Sequence, residues 1–246
     1  MVVLATKCYV EGDARQRATD SLRSLIDNEI GDLAVAFELS IREDDFPEVT
    51  LEGEDATVAA NVLREEFGEI ADAFEPGETY VGTLESWDED GFVLDAGRPV
   101  RIPADALDLG PGSPVQLRER FGLVQHMPLR FVYEGDAESE DVDEAGSTTA
   151  NAAEGEGVVV AAGLADEDVD RLYEWTRGDG RLNVNSATRA EVRATLNRAG
   201  HAQDYVTVER LGLLEQSVVC TEDTDPPGLL ASVGDYLPAE LRCVVP

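Results

Sequence analysis

Between Glu134 and Gly157 run 24 residues with nine acidic side chains, no basic one, and Val142 as the sole large apolar group. Such a stretch cannot bury enough surface to offset the entropy of ordering its backbone, so it is expected to be a disordered linker. It forbids one continuous core and divides whatever folds into parts on either side. A second break falls at Glu75-Pro76-Gly77, where Pro and Gly punctuate the chain. The expected organisation is therefore α+β in three units: an α/β unit at 1–75, a β-barrel at 76–133, the acidic linker at 134–157, and a second α/β unit at 158–246.

Periodicity fills in the units. In the first, Val2–Val10 reads as a strand and Ala14–Ile30 as a helix. Leu33–Ile41 alternates as a strand, Pro47–Leu51 is a shorter one, and Asp55–Ile70 is a second helix. That β-α-β-β-α order shows three of the four strands of a ferredoxin-like unit. The middle unit changes to short strands with regular turns: Thr79–Trp87, Gly91–Ala96, Pro99–Ile102, Pro114–Phe121 and Leu129–Tyr133, with a short helix at Pro103–Leu107. Five strands with one helix in that slot outline a small Greek-key barrel. The last unit reads as strand Val158–Ala162, helix Asp166–Thr176, strand Arg181–Asn185, and helix Ala187–Ala199 with Ser186 as N-cap. A hairpin of Asp204–Leu211 and Leu214–Thr221, helix Pro227–Tyr236 and strand Leu241–Val245 complete it. No sequence repeat links the two outer units.

Charge narrows the function classes. Fifty-two Asp and Glu face 19 Lys and Arg, of which Lys7 is the only lysine, for a net charge of −33. Weakly hydrated Arg in place of Lys, on an acidic surface that salt screens, suits a salt-rich solvent. The composition resembles that of halophilic archaeal proteins, so acidity here describes solvent more than partner. No apolar run approaches the ~18 residues of a membrane span. Met1–Lys7 lacks the basic leader and apolar core of a signal peptide, and a cytoplasmic location is expected. Cys8, Cys220 and Cys243 are odd in number and widely spaced, so they read as buried thiols without a disulfide or a metal site.

The barrel carries the strongest functional pointer. Tyr80-Val81-Gly82-Thr83-Leu84, Asp90-Gly91-Phe92-Val93-Leu94, Ile102-Pro103 with Leu107, and Gly112 before Val115–Leu117 resemble an S1-type RNA-binding barrel over about 55 residues. The resemblance implies base stacking by an aromatic pair on the second strand and contact by a nearby histidine. Here Phe92 holds the first aromatic place, Val93 replaces the second, and Pro103 stands where the histidine would be, with Trp87 and Tyr80 as substitutes. An exposed aromatic beside cations binds single strands with ~1–3 kcal/mol per stacked base.

Acidity relents twice. Residues 96–133 hold Arg98, Arg101, Arg118, Arg120 and Arg130 against three acids, and residues 181–210 hold Arg181, Arg189, Arg193, Arg198 and Arg210 against three. Arg118 and Arg120 share a face of the expected fourth strand, and Arg189 and Arg193 share a helix face. The nucleic-acid contacts expected are Trp87, Phe92, Arg98, Arg101, Arg118, Arg120, Arg189, Arg193 and Arg198. Phe121 and Phe131 are expected in the core.

Catalysis has little to build on. His126 and His201 are the only histidines, and no phosphate-binding glycine loop or nucleophile elbow occurs. The layout as a whole, with Tyr205–Glu215 and Cys220–Gly228, resembles an uncharacterised haloarchaeal domain-of-unknown-function family, which supplies no catalytic residues. The sequence reads as a non-enzymatic RNA-binding protein of archaeal information processing, at the ribosome or on transcripts, with no cofactor. The rival is a protein–protein adaptor in a ribosome or RNA polymerase assembly that uses an OB-type barrel.

Overall fold

Alternating burial makes the first sheet. The computed structural model describes residues 1–135, 159–161, 163–237 and 239–246. In β2 (Val35–Ile41) every second side chain turns inward, and the strand pairs antiparallel with β3 (Pro47–Gly53) along its full length. Strand β1 shrinks to Val2–Val3, on the other side of β3, instead of the nine-residue strand expected. Helices α1 (Gly12–Ile30) and α2 (Ala56–Phe67) cover the sheet, burying Ala18, Leu22, Ile26 and Ile30 and Ala59, Ala60 and Leu63. Beyond α2, Leu4 bridges to Glu69, and the Ile70 amide donates to the Val3 carbonyl at 2.9 Å. Those bonds lie on the β1 edge away from β3, since successive residues of a strand point their amides to opposite sides.

The middle sheet has six strands in the order β8-β6-β5-β4-β7-β9 and curls into a half-barrel. Its members are β4 (Thr79–Asp88), β5 (Gly91–Asp95), β6 (Pro99–Pro103), β7 (Pro128–Val132), β8 (Val159–Val160) and β9 (Gly163–Leu164). Pro114–Phe121, expected as a strand, is instead helix α3 (Pro114–Arg120). Ser113 and Gln116 form a capping box at its start and Pro114 sits in its first turn, local signals that outweigh the apolar spacing. The missing strand comes from beyond the acidic stretch. Val159 and Val160 pair parallel with Val100 and Arg101, and Gly163 and Leu164 pair antiparallel with Val132 and Phe131. One short stretch thus holds both edges of the curled sheet.

Helix α4 (Asp166–Trp175) follows and packs Val169, Leu172 and Trp175 into the same apolar cluster as Phe92, Phe121 and Phe131. Ala161, Leu164 and α4 therefore belong to the middle core, although they were expected to open the last unit. The disorder expected of the acidic segment lies mostly outside the described residues. Its described flanks, however, leave and re-enter one sheet.

The third sheet is antiparallel, in the order β11-β12-β10-β13. It is built from β10 (Arg181–Val184), α5 (Arg189–Arg198), β11 (Tyr205–Arg210), β12 (Gln216–Cys220), α6 (Pro226–Val233) and β13 (Leu241–Val244). Thr188, not Ser186, caps α5, in a capping box with Glu191. Ser186 has φ 57°, a left-handed turn that precedes the cap. The three cores also meet: Leu213 and Leu214 enter the first cluster, and Val244 enters the second. No helix among the described residues is long and apolar enough to cross a membrane.

Candidate nucleic-acid interface

The expected contacts scatter. Phe92 is fully buried opposite Ile102 and presents no face to a base. Trp87, its neighbour across β4 and β5, is half-buried under the Arg118 guanidinium, 3.5 Å from the ring centroid. Arg118 itself is buried and paired with Glu240, just before β13. Glu240 also accepts from the Gln125 amide at 2.9 Å and from Arg242 Nε at 3.0 Å. This group staples α3 to the third sheet. Arg101 makes a two-pronged pair with Asp88 at 2.9 and 3.2 Å, and its hydrogen bonds hold that carboxyl below the usual range. Arg98 reaches the Asp72 carbonyl and lies over Phe74, while exposed Arg120 donates to the Pro111 carbonyl. Arg189, Arg193 and Arg198 stand exposed on α5 with no ion pair among the described residues.

Arg118 therefore belongs to stability, because removing it takes the buried cation from Glu240, leaving Arg242 and the Gln125 amide, and uncovers Trp87. The expected result for Arg118→Ala is a loss of about 2 kcal/mol in urea unfolding, discounted from the fully buried case because Glu240 keeps some water. An Arg118→Ala protein of unchanged midpoint would contradict the assignment.

Topology assembles a site that the linear arginine count did not. Arg64 from α2, Arg130 from β7, Arg171 from α4 and Arg210 from β11 line a cleft of about 670 Å³, its open mouth included, where the three sheets meet. A second cavity, about 820 Å³ with its open mouth included, shares Arg171, Arg210 and Leu211 with it and adds Arg181 and Arg189. Carboxylates hold several of these groups: Glu69 on Arg64 at 2.7 Å, Glu66 on Arg210, Glu209 on Arg181 and Asp168 on Arg130 at 3.1 Å. Apolar rings support them, with Arg210 over Phe67 and Arg171 and Arg181 over Trp175. Arg181, Arg189 and Arg210 fall in the second arginine-rich stretch and Arg130 in the first. Arg64 and Arg171 sit in acidic surroundings and carry no local signal.

Two further polar groupings are present. Tyr9 donates to Glu215 at 2.7 Å, accepts from the Ser186 amide at 2.8 Å, and stacks on His126 with centroids 3.9 Å apart. His126 in turn meets Glu85, which also takes Lys7 at 2.9 Å. Burial raises the Glu215 carboxyl to about 8. At Glu85, burial pushes upward too, but hydrogen bonds from His126 and Lys7 prevail and lower the carboxyl to about 2. Elsewhere, His201 lies 2.5 Å from Asp204 and 2.6 Å from Ser232, the order of a nucleophile–base–acid relay. Ser232 sits in the last turn of α6, however, and Asp223 and Asp225 line the adjacent cavity. An oxyanion forming there would face a helix C-terminus and carboxylates, the wrong signs for acyl transfer. That relay ties α5 to α6.

The geometry defines a three-part α+β protein with arginine-lined cavities at its junction. The N-terminal, central and C-terminal domains of DUF2110 match residues 1–73, 74–154 and 179–245, and the chain belongs to that family. All of α4, with β8 and β9, falls between the last two matched regions. No curated protein matches the chain.

Proposed function

We propose that the protein binds RNA without catalysing a reaction, and that the contact runs along α5 and the adjoining arginine cavity rather than across β5. One observation carries this reading: three exposed arginines on a ten-residue helix have no carboxylate partner among the described residues, in a chain rich in acids. Arg189 continues from that helix into the cavity with Arg171, Arg181 and Arg210, which gives a track of guanidiniums. Guanidinium forks match phosphate oxygens, and contacts of this kind position a strand without reading its sequence.

In this reading the curled sheet is an OB-type barrel, with β4 to β7 as its first four strands and β8 and β9 together in the place of the fifth. The parallel pairing of β6 with β8 and the antiparallel pairing of β7 with β9 support it. The outer units are two ferredoxin-like folds, the first with Glu69 as the remnant of its fourth strand. Base stacking on Phe92 has no part in it.

Replacing Arg189, Arg193 and Arg198 together by Ala should weaken binding of single-stranded RNA at least tenfold. It should also lower the slope of log affinity against log salt by about 2, at ~0.7 per phosphate contact. Filter binding across a KCl series measures both. No binding by the unaltered protein sinks the reading, and a stoichiometric, nuclease-resistant protein partner lost in the triple variant would favour an adaptor instead.

A further inference from the structure

We propose that the cleft between the three sheets is a binding site for an oxyanion of the phosphate class, anchored by Arg171 and flanked by Arg130 and Arg210. The first argument is charge. Arg130 Nη1 and Arg171 Nη2 each stand 3.1 Å from one oxygen of Asp168, whose other oxygen takes the Arg130 amide at 2.6 Å. Asp168 is 1% exposed, so two guanidiniums share one buried carboxylate and the group keeps an excess positive charge. Glu167 lies 3.9 Å from Arg130 Nε but is 81% exposed, where water screens it.

The second argument is hydrogen bonding. Arg171 Nε and Nη2 are shut off from solvent and have no hydrogen-bond partner among the described residues. The 3.1 Å approach of Nη2 to Asp168 is an ion pair whose alignment fails as a hydrogen bond. A buried donor left unmade carries its full desolvation penalty, larger for a charged group. Burial accordingly pushes the Arg171 guanidinium below its ordinary pKa. An anion in the cleft would supply the countercharge, and the acceptor once the Arg171 side chain turns those nitrogens toward it.

The third argument is placement. Arg171 from α4 and Arg210 from β11 line both cavities, and Arg64 from α2 lines the first. Three elements distant in sequence thus aim planar donors at one space, the arrangement that grips a tetrahedral oxyanion by paired N–H groups. Glu65 and Glu66 share the α2 wall, so the anion sits on the α4 side of the cleft. The chemistry is shared by a free phosphate or pyrophosphate and by the phosphate of an RNA strand. These arguments stand without the RNA reading.

The test is equilibrium dialysis of the full chain with labelled inorganic phosphate, with pyrophosphate, and with a 5′-phosphorylated single-stranded oligonucleotide, at matched chloride. The expected result is saturable binding of at least one of them, weakened tenfold or more by Arg171→Gln and by Arg210→Gln. Arg23→Gln, on the exposed face of α1, should leave it unchanged. If circular dichroism shows Arg171→Gln unfolded, Arg210→Gln decides. Absence of binding for all three probes, or equal binding by wild type and the cleft variants, overturns the proposal. An oligonucleotide that binds through α5 while ignoring the cleft variants overturns this site alone. Phosphate binding without oligonucleotide binding keeps the site and removes the RNA reading.

Discussion

A fragment of residues 74–154 should fail to fold cooperatively, whereas 74–178 should give a single thermal transition. The shorter piece spans the matched central domain yet lacks β8, β9 and α4. Without them β6 and β7 become bare edges, which invite aggregation. The loss includes the hydrogen bond from the Ala161 amide to the Arg101 carbonyl at 2.8 Å, that from the Ala165 amide to the Arg130 carbonyl at 3.0 Å, and the Asp168 carboxylate that accepts from the Arg130 amide. It also removes Leu164, Val169, Leu172 and Trp175 from the cluster around Phe131. At about 1.5–3 kcal/mol for each large apolar side chain buried, that sum is comparable with the whole stability of a small domain. Circular dichroism melts and amide proton dispersion compare the two fragments. A sharply melting, monomeric 74–154 would show that residues 159–175 decorate the sheet instead of completing it.

The same segment shows where sequence reading ran out. Strands β2 and β3 and helices α1 and α4 were legible because each carries its period within a dozen residues. Strand β8 was legible as a strand but not as a neighbour: a parallel pair is joined by a long connection whose length says nothing about its destination. The acidic stretch looked like a boundary because composition reports on burial and is silent about where its two ends attach. At 114–121 the apolar spacing of Leu117 and Phe121 fits either element over so short a run. The Ser113/Gln116 box and Pro114 were the signals that should have decided for helix. Arg189, Arg193 and Arg198 stand out in the sequence and are exposed on α5, whereas Arg118, which stands out as well, is buried by a partner, Glu240, 122 residues away. Arg64 and Arg171 could be joined to Arg210 only by three-dimensional packing.

Stability of the full chain should fall as pH rises from about 4.5 to about 8, and Glu215→Gln should abolish most of that fall. Glu215 is wholly buried, with one oxygen bonded to Tyr9 and the other without a partner among the described residues. Burial raises its folded carboxyl to about 8, against an ordinary value of 4.5. Across that window the folded state keeps a proton that the unfolded chain has lost. Linkage then makes the slope of stability against pH negative, and flat above 8. A shift of this size corresponds to roughly 3–5 kcal/mol at most. Glu85 acts in the opposite sense: its folded carboxyl is lowered to about 2, so its contribution is present above 4.5 and lost as pH falls toward 2. The two together place maximum stability near pH 5. Glutamine keeps the acceptor for Tyr9 and cannot ionise, so the variant should match wild type at pH 5 and exceed it at pH 9 in urea titrations. Parallel profiles for the two proteins between pH 5 and 9 would overturn the assignment. The consequence is mechanical as well as energetic. Tyr9 comes from the first unit, Glu215 and Ser186 from the third, and His126, stacked on Tyr9, from the middle. Ionising Glu215 therefore loads a node at which all three units meet, and amide exchange near Tyr9 and Ser186 should quicken above pH 8 before the sheets themselves open.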